Sequence, residues 1–174
     1  MILKEKNMKI ELRKWTPDDC EALANVCHNV DRSFLTNGLP YPYTAANGKW
    51  WIENCAMKNE GTEGTFRAIV VNGKVVGNIS VEKKSDVFSC DAEIGYLLLD
   101  EAKGHGVMTK AVEEITKIAF EELGLLRISA KVYSPNIASQ KVLEKNGYEK
   151  EGYMKNAVVK NDNIYDVVLY GILK

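Results

Sequence analysis

The 174-residue sequence lacks an excess of charge of either sign, and it lacks long apolar runs. Its net charge is −1, with 23 basic and 24 acidic residues, so composition gives no electrostatic support for binding nucleic acid or an anionic membrane. No apolar run approaches the roughly 20 residues that cross a bilayer. The charged segment Met1 to Lys9 lacks the apolar centre of a signal peptide. We therefore expect neither a nucleic-acid partner nor membrane association.

Histidine and paired cysteines are also scarce. The chain has two histidines, and its four cysteines form no CxxC pair, which argues against a metal site. We predict reduced thiols and a cytoplasmic location. Two phosphate-binding signatures are missing as well, the G-K-[ST] ending of a P-loop and the full GxGxxG of a dinucleotide fold.

Period-two and helical patterns predict one mixed α+β domain, residues 1–174 with a core of about 8–174. Helices are predicted after Thr16, after Thr44, from Gly106 to Gly124, and after the cap Ser134-Pro135. Antiparallel strands followed by right-handed crossovers predict a mixed sheet with helices on both faces. The predicted strands are Met8 to Trp15, Thr65 to Val71, Lys74 to Val81, Cys90 to Leu99, Arg127 to Tyr133, Tyr148 to Lys155 and Ile164 to Leu173.

The segment Lys103 to Ala111 joins a predicted strand to a predicted amphipathic helix. Gly104 and Gly106 allow the backbone to pass close to a ligand. The free N–H groups at the start of the helix favour an anion such as a phosphate. A tight turn without a ligand is the alternative interpretation.

A second candidate region is the irregular segment Asp31 to Tyr43. Its large side chains favour a pocket wall for an acceptor, although packing in the core explains them equally well. We assign Asp166, in the last predicted strand, to the border of the same site. The candidate acceptor residues are therefore Phe34, Leu39, Tyr41, Tyr43 and Asp166.

Two segments resemble signatures of the GCN5-related N-acetyltransferases (GNAT). Lys103-Gly104-His105-Gly106-Val107-Met108 resembles the Gln/Arg-x-x-Gly-x-Gly/Ala pyrophosphate signature, and Asn136 to Tyr148 resembles the second coenzyme A segment. Ala92 to Tyr96 and the N-x-x-S-x-x-x-L-E-K-x-G-Y pattern are similar to the RimJ/RimL ribosomal-protein acetyltransferase branch. The resemblance implies the GNAT fold, a mostly antiparallel mixed sheet with splayed central strands, and acetyl-CoA as co-substrate.

Three positions depart from the family pattern. Lys103 stands where Gln or Arg is usual, and it lacks the bidentate fork of Arg. Met108 replaces Gly or Ala, so its side chain must turn into the core. Leu143 occupies the position where many relatives carry a tyrosine thought to protonate the leaving thiolate.

The resemblance implies direct acetyl transfer to a primary amine in a ternary complex. It implies a bulged, splayed strand at Leu97 to Leu99, and we expect the Leu99 N–H to polarise the thioester carbonyl. For Asn136 the alternative is a polar residue at a helix start, and for Ser139 a small solvent-facing residue. The expected coenzyme-binding residues are Leu97, Leu98, Leu99, Lys103, Gly104, His105, Gly106, Val107, Met108, Thr109, Asn136 and Ser139.

Glu93 is the candidate general base. An α-amine has a typical pKa near 8 and must lose a proton to attack. Strand parity places Glu93 opposite Ile94 and Tyr96, and a water between carboxylate and amine completes the arrangement. The alternative is an exposed carboxylate or a salt-bridge partner. Ser139 or a water would give the leaving thiolate its proton.

The sequence leaves the acceptor open. A protein N-terminal α-amine, an antibiotic, a polyamine and an amino-acid conjugate all fit a primary-amine site. A non-catalytic acyl-CoA-binding or regulatory protein is the competing function, because Lys103, Met108 and Leu143 depart from the pattern. A homo-oligomer paired through the closing strands is possible by analogy.

Overall fold

A seven-stranded sheet forms the frame of the structure, a computed structural model that describes residues 8–174. Its strand order is β1-β2-β3-β4-β5-β7-β6. Every neighbouring pair is antiparallel except β4 and β5, which confirms the predicted mixed sheet. The strands are β1 (Ile10–Arg13), β2 (Gly64–Val71), β3 (Lys74–Lys83), β4 (Asp91–Leu98), β5 (Arg127–Tyr133), β6 (Glu149–Lys160) and β7 (Asn163–Leu173).

Helices cover both faces of the sheet. They are α1 (Cys20–Asn29), α2 (Ala45–Trp51), α3 (Met57–Asn59), α4 (Val107–Glu122) and α5 (Ile137–Lys145). A π-helical turn, Ile52–Ala56, joins α2 to α3. No helix among residues 8–174 has both the length and the apolar character needed to cross a bilayer.

Local sequence signals explain two of the tight connections. Asn72 and Gly73 have φ of 50° and 83°, and a two-residue hairpin that requires positive φ twice is favoured by Asn-Gly. Before α1, Asp19 Oδ2 accepts hydrogen bonds from the Thr16 N–H and the Thr16 hydroxyl, both at 2.9 Å. Both predicted connections are therefore confirmed.

Two hydrophobic cores lie on opposite faces of the sheet. The α4 core packs the apolar stripe of α4, including Ala111 and Ile115, against β3, β4, β5 and β7. The α1 core packs Leu23 and Val26 against β2 and the segment from α2 to α3. Because the α1 core covers only the first strands, the same face of β4, β5 and β7 is left more open.

The two central strands separate from each other. β4 pairs with β5 only along Asp91–Glu93, whereas β3 follows β4 to Leu98 and β7 follows β5 to Tyr133. A cleft therefore opens between β4 and β5 beyond Glu93, which confirms the predicted splay. The predicted bulge at Leu97 to Leu99 is wrong, because the register between β3 and β4 has no shift along its length.

The start of α5 also differs from the prediction. Ser134 does not cap the helix, because its N–H donates to the carbonyl of Asp166 and so continues the pairing of β5 with β7. Asn136 is the cap instead, and its Oδ1 accepts the N–H of Ser139 at 3.2 Å. The helix begins at Ile137, two residues later than Ser134-Pro135 indicated.

Candidate active site

The anion-binding candidate is the loop between β4 and α4. Gly104 and Gly106 have φ of 78° and 73°, and Gly106 is the N-cap residue of α4. No side chain caps this helix end, so the first N–H groups of a 16-residue helix have no capping partner and face outward. A Cβ on either glycine would meet open space. The loop therefore fits a bound phosphate, because it combines free N–H groups, the positive end of a helix dipole and room for a ligand.

Side chains of the same loop play different parts. Val107 and Met108 are buried in the α4 core, so Met108 turns inward as expected and leaves the cradle free. His105 is exposed. Lys103 Nζ lies 2.5 Å from Asp100 Oδ1. These two charges are largely solvent-exposed, and such pairs are weak, so Lys103 can exchange Asp100 for an incoming phosphate.

The edge of β4 supplies the cleft with backbone groups. The Leu99 N–H donates to the Val76 carbonyl at 2.9 Å, so the prediction that it points at a thioester is wrong. Backbone groups of successive strand residues point to opposite sides. With Leu99 directed toward β3, the N–H of Leu98 points to the side where β4 has lost its partner β5. The side chains of Leu97 and Leu98 pack on opposite faces of the sheet. This part of β4 therefore presents only backbone groups to the cleft.

Residues of α5 approach the other side of the cleft. The Asn136 side chain is engaged as the helix cap, which is the structural role left open for it. Ser139 Oγ lies 2.6 Å from the hydroxyl of Tyr96 on β4. Leu143 is fully buried in the α4 core, so nothing replaces the tyrosine of relatives at that position. Sequence reasoning overlooked Tyr96, although a tyrosine on the inward face of a strand needs a partner for its hydroxyl.

Glu93 lies on the open face of the sheet where β4 and β5 separate. Its Oε2 is 3.0 Å from Lys131 Nζ, and the two side chains are 40% and 54% exposed. This geometry matches the alternative role given for Glu93, that of a salt-bridge partner. Exposed pairs of this kind contribute little stability, and the carboxylate stays accessible to water and to an acceptor.

An aromatic cluster borders the same face beyond Lys131. Phe34, Tyr133 and Tyr165 have ring centroids 6.2 to 6.4 Å apart. Lys160, buried in the hairpin of β6 and β7, donates to Asn37 Oδ1 at 2.8 Å. The segment after α1 is thus attached to that hairpin across the open face. Tyr133 and Tyr165 were missed because single strand tyrosines carry no signal of their spatial neighbours.

The other acceptor candidates have structural roles. Tyr43 is buried in the α1 core, which is the core-packing alternative left open for it. Leu39 packs against the same core, and Tyr41, 70% exposed, stacks on His28 at 5.1 Å. Asp166 accepts the Asn156 N–H and the Tyr153 hydroxyl, both at 2.7 Å, and these bonds lower the pKa of its carboxyl.

No group of three or more metal-ligating side chains occurs among residues 8–174. All four cysteines are free, and Cys27, whose pKa is raised to about 12 by burial, is enclosed in the α1 core. The groups that the structure places at the cleft are backbone N–H groups, the hydroxyls of Tyr96 and Ser139, and the Glu93 carboxylate paired with Lys131.

Comparison with known proteins gives consistent matches. A family model described as acetyltransferase (GNAT) domain matches residues 9–149. The putative ribosomal N-acetyltransferase YdaF of Bacillus subtilis (strain 168) is 32% identical over 97% of this chain and 93% of its own. A crystal structure of a probable acetyltransferase is 30% identical, with a TM-score of 0.79 over 95% of this chain and 93% of that one. A RimL ribosomal α-N-protein acetyltransferase in complex with coenzyme A shares the fold, with a TM-score of 0.82, 20% identity and coverage of 94% and 93%.

Proposed function

The chain belongs to the GNAT acetyltransferase family, and we propose that its acceptor is the α-amine of a protein N-terminus. Membership confirms the resemblance carried by the two glycine-containing motifs and makes the chain an acetyl-CoA-dependent N-acetyltransferase. We infer that one domain carries both substrate sites, one on each side of the cleft between β4 and β5. We also propose that the protein is cytoplasmic and that it forms a homo-oligomer.

The open acceptor side is the observation that carries this choice. Glu93 and Lys131 are both about half exposed on an open sheet face, and the aromatic cluster borders this face without enclosing it. An extended chain end can lie on such a face, with its first residue at Glu93 and the following ones leading outward. A small amine would leave most of this surface uncovered.

Coenzyme binding is assigned to three parts of the chain. The N–H groups from Gly104 to Thr109 hold the pyrophosphate, as the uncapped start of α4 supports. Lys103 contributes its side chain instead, because its N–H already donates to the Asp100 carbonyl at 3.1 Å. The unpaired edge of β4 at Leu98 takes the pantetheine arm in the manner of an added strand, whereas the backbone groups of Leu97 are directed toward β3. Ser139 contacts the coenzyme from α5, and Asn136 holds the first turn of that helix in place.

Three groups act on the reacting atoms in this proposal. The Leu98 N–H polarises the thioester carbonyl, a contribution of about 3 to 4 kcal/mol at the transition state. Glu93 takes a proton from the acceptor ammonium through a water. The amine nitrogen then bonds to the acetyl carbon, the carbon–sulfur bond breaks, and Ser139 lies beside the departing thiolate.

Thiol release from acetyl-CoA tests the acceptor class. We expect release with peptides that carry a free α-amine and none with the same peptides blocked at the N-terminus, even when they contain lysine. Mass spectrometry of cellular protein N-termini, with and without the protein, then identifies the acceptor. Release with polyamines or aminoglycosides but not with peptides would overturn the proposal in favour of a small-amine acceptor. Coenzyme A binding without release from any amine would support the non-catalytic alternative.

A further inference from the structure

Tyr96 joins the two sides of the cleft by a single hydrogen bond. Its ring lies on the inward face of β4, between the buried Ile94 and Leu98, and packs against the α4 core. Its hydroxyl lies 2.6 Å from Ser139 Oγ on the first turn of α5. Burial raises the pKa of Tyr96 to about 12, so the phenol keeps its proton at physiological pH.

The chemistry of the two hydroxyls indicates the direction of this bond. A phenol is a stronger acid than an aliphatic alcohol and is therefore the better donor. Tyr96 then donates and Ser139 accepts, which leaves the Ser139 proton free for another acceptor. The Ser139 backbone is held independently, because its N–H donates to Asn136 Oδ1. The remaining variable is the direction of the Ser139 O–H, and Tyr96 restricts it.

We propose that Tyr96 is a positioning residue for acetyl transfer: its hydroxyl donates to Ser139 Oγ and directs the Ser139 O–H at the departing sulfur. This inference rests on the proposed contact between Ser139 and the coenzyme. When the carbon–sulfur bond breaks, the electron pair stays on sulfur, and the Ser139 O–H stabilises the negative charge. Two hydroxyls in series donate more strongly than one alone.

Neither hydroxyl gives up its proton in this step. A thiol with a pKa near 8.5 is a stronger acid than Tyr96, whose pKa lies at about 12, so the thiolate does not take the tyrosine proton. The amine proton leaves through Glu93, and the sulfur later takes one from solvent, so the reaction balances. Since Leu143 is enclosed in the core, the hydroxyl support for the thiolate comes from β4 and α5 together.

The thiol pKa of bound coenzyme A measures this effect without turnover. It is read from the ultraviolet absorbance of the thiolate as a function of pH, with the protein in excess. We expect Tyr96→Phe to raise that pKa by about one unit, the tenfold effect of one ordinary hydrogen bond. The kcat should fall by about tenfold, while KM for acetyl-CoA and binding of coenzyme A that lacks its sulfur should stay unchanged.

Tyr170→Phe is the matched control. Tyr170 is also a buried tyrosine, and its hydroxyl bonds to Glu144 and Gln140 instead of Ser139. We expect it to change the melting temperature but neither the thiol pKa nor kcat. An equal effect of both variants on kcat and on the thiol pKa would reduce Tyr96 to a packing residue and overturn the inference.

A double-mutant cycle tests whether Tyr96 acts through Ser139. In a Ser139→Ala background, Tyr96→Phe should change neither the thiol pKa of bound coenzyme A nor kcat any further. In a Ser139→Thr background, which keeps a hydroxyl, Tyr96→Phe should again raise that pKa and lower kcat. Additive effects would overturn the inference while leaving the role of Ser139 intact. A Ser139→Ala variant with an unchanged thiol pKa and kcat would overturn both. If no peptide serves as an acceptor, only the proposal about the acceptor class is overturned, since the thiol pKa of bound coenzyme A is measured without an acceptor.

Discussion

Glu93 on β4 forms a salt bridge with Lys131 on β5 at the point where these two central strands separate. The 3.0 Å contact joins two half-exposed side chains, and a pair of this kind contributes at most about 1 kcal/mol. An acceptor ammonium can therefore replace Lys131 at the carboxylate at low cost. The salt bridge and the proposed role as base are compatible, because the first is easily broken.

Glu93→Gln tests the role of this carboxylate. Loss of a general base should lower kcat/KM by about a hundredfold or more, while the affinity for acetyl-CoA stays the same. Steady-state kinetics across pH with one peptide acceptor measures the change. Glu82→Gln is the control, because Glu82 is the partner of Glu93 in the register of β3 and β4 and accepts a hydrogen bond from Ser80. An unchanged rate and pH profile in the Glu93 variant would remove it as the base.

The start of α4 is held by backbone geometry instead of by a capping side chain. Gly106 has φ of 73° and no side chain caps the helix. Ser, Thr, Asp and Asn are preferred at this place, and such a side chain would occupy the same N–H groups. The absence of a cap among these described residues leaves the positive helix end to an anion.

Gly106→Val should abolish coenzyme A binding and leave the fold intact. A β-branched residue at positive φ is strained by about 1 to 3 kcal/mol, and relief of that strain moves the N–H groups out of position. Gly124→Val is the matched control at the other end of the same helix, with φ of 64° and the same open surroundings. Calorimetric titration and thermal melting should show a similar loss of stability in both variants, but lost affinity only in the first. Retained affinity in Gly106→Val would contradict the assignment of the loop.

The junction of β1 and α1 depends on one carboxylate. Asp19 is nearly buried, pairs with Arg13 at 2.7 Å and accepts two bonds from Thr16. The hydrogen bonds from Arg13 and Thr16 hold the pKa of Asp19 below its ordinary value. A depressed pKa means that the charged form stabilises the fold above the unfolded-state pKa, and that this stabilisation is lost as pH falls through the folded-state pKa.

Asp19→Asn should therefore lower the free energy of unfolding by about 1 to 2 kcal/mol at pH 7. The difference from the unchanged protein should shrink as pH falls below about 4, because the unfolded-state carboxyl is protonated there first and the native carboxyl follows at its lower pKa. Urea unfolding at several pH values measures it. Asp18→Asn, at an exposed neighbouring position, should have no such effect. A difference that stays constant into acid would contradict the assigned cause.

At the scale of the whole molecule, the proposed acceptor side is assembled from distant parts of the chain. The segment after α1 brings Phe34 to the end of β5 and the start of β7. The bond from Lys160 to Asn37 spans 123 positions and attaches this segment to the hairpin of β6 and β7. The proposed coenzyme side, in contrast, is built from α4 and α5, which lie outside this attachment.

Lys160→Met should therefore weaken the binding of the peptide acceptor and leave the binding of acetyl-CoA unchanged. It removes the donor to Asn37 while keeping a long side chain of similar shape, so the segment after α1 loses its attachment. We expect KM for the peptide acceptor to rise by about tenfold, equivalent to about 1.4 kcal/mol, with KM for acetyl-CoA unchanged. Asn37→Ala should act in the same direction and add nothing to the first variant. Equal changes in both KM values would show that the two sides of the cleft are not independent.

Local patterns determined the elements and the loop that we propose for the coenzyme. Asn72-Gly73, the stripe of α4 and the two glycines of the loop act over a few neighbouring residues, so the sequence alone was sufficient to predict them. The Ser134-Pro135 cap was wrong because a tertiary bond, from the Ser134 N–H to Asp166, extended the strand pairing. The prediction that the Leu99 N–H faces the cleft was wrong, because the register of β4 with β3 decides which N–H groups point there.

Only the tertiary structure decided which side chains meet. Tyr43 and Tyr133 look alike in the sequence, yet the first is enclosed in the α1 core and the second stacks with Tyr165 beside the proposed acceptor face. Tyr96 and Ser139 are 43 positions apart, and their contact depends on the packing of α5 beside the diverging strand β4. Secondary structure follows from short-range preferences encoded at each position. Contacts across the cleft follow from the separation of β4 and β5, which no single segment encodes.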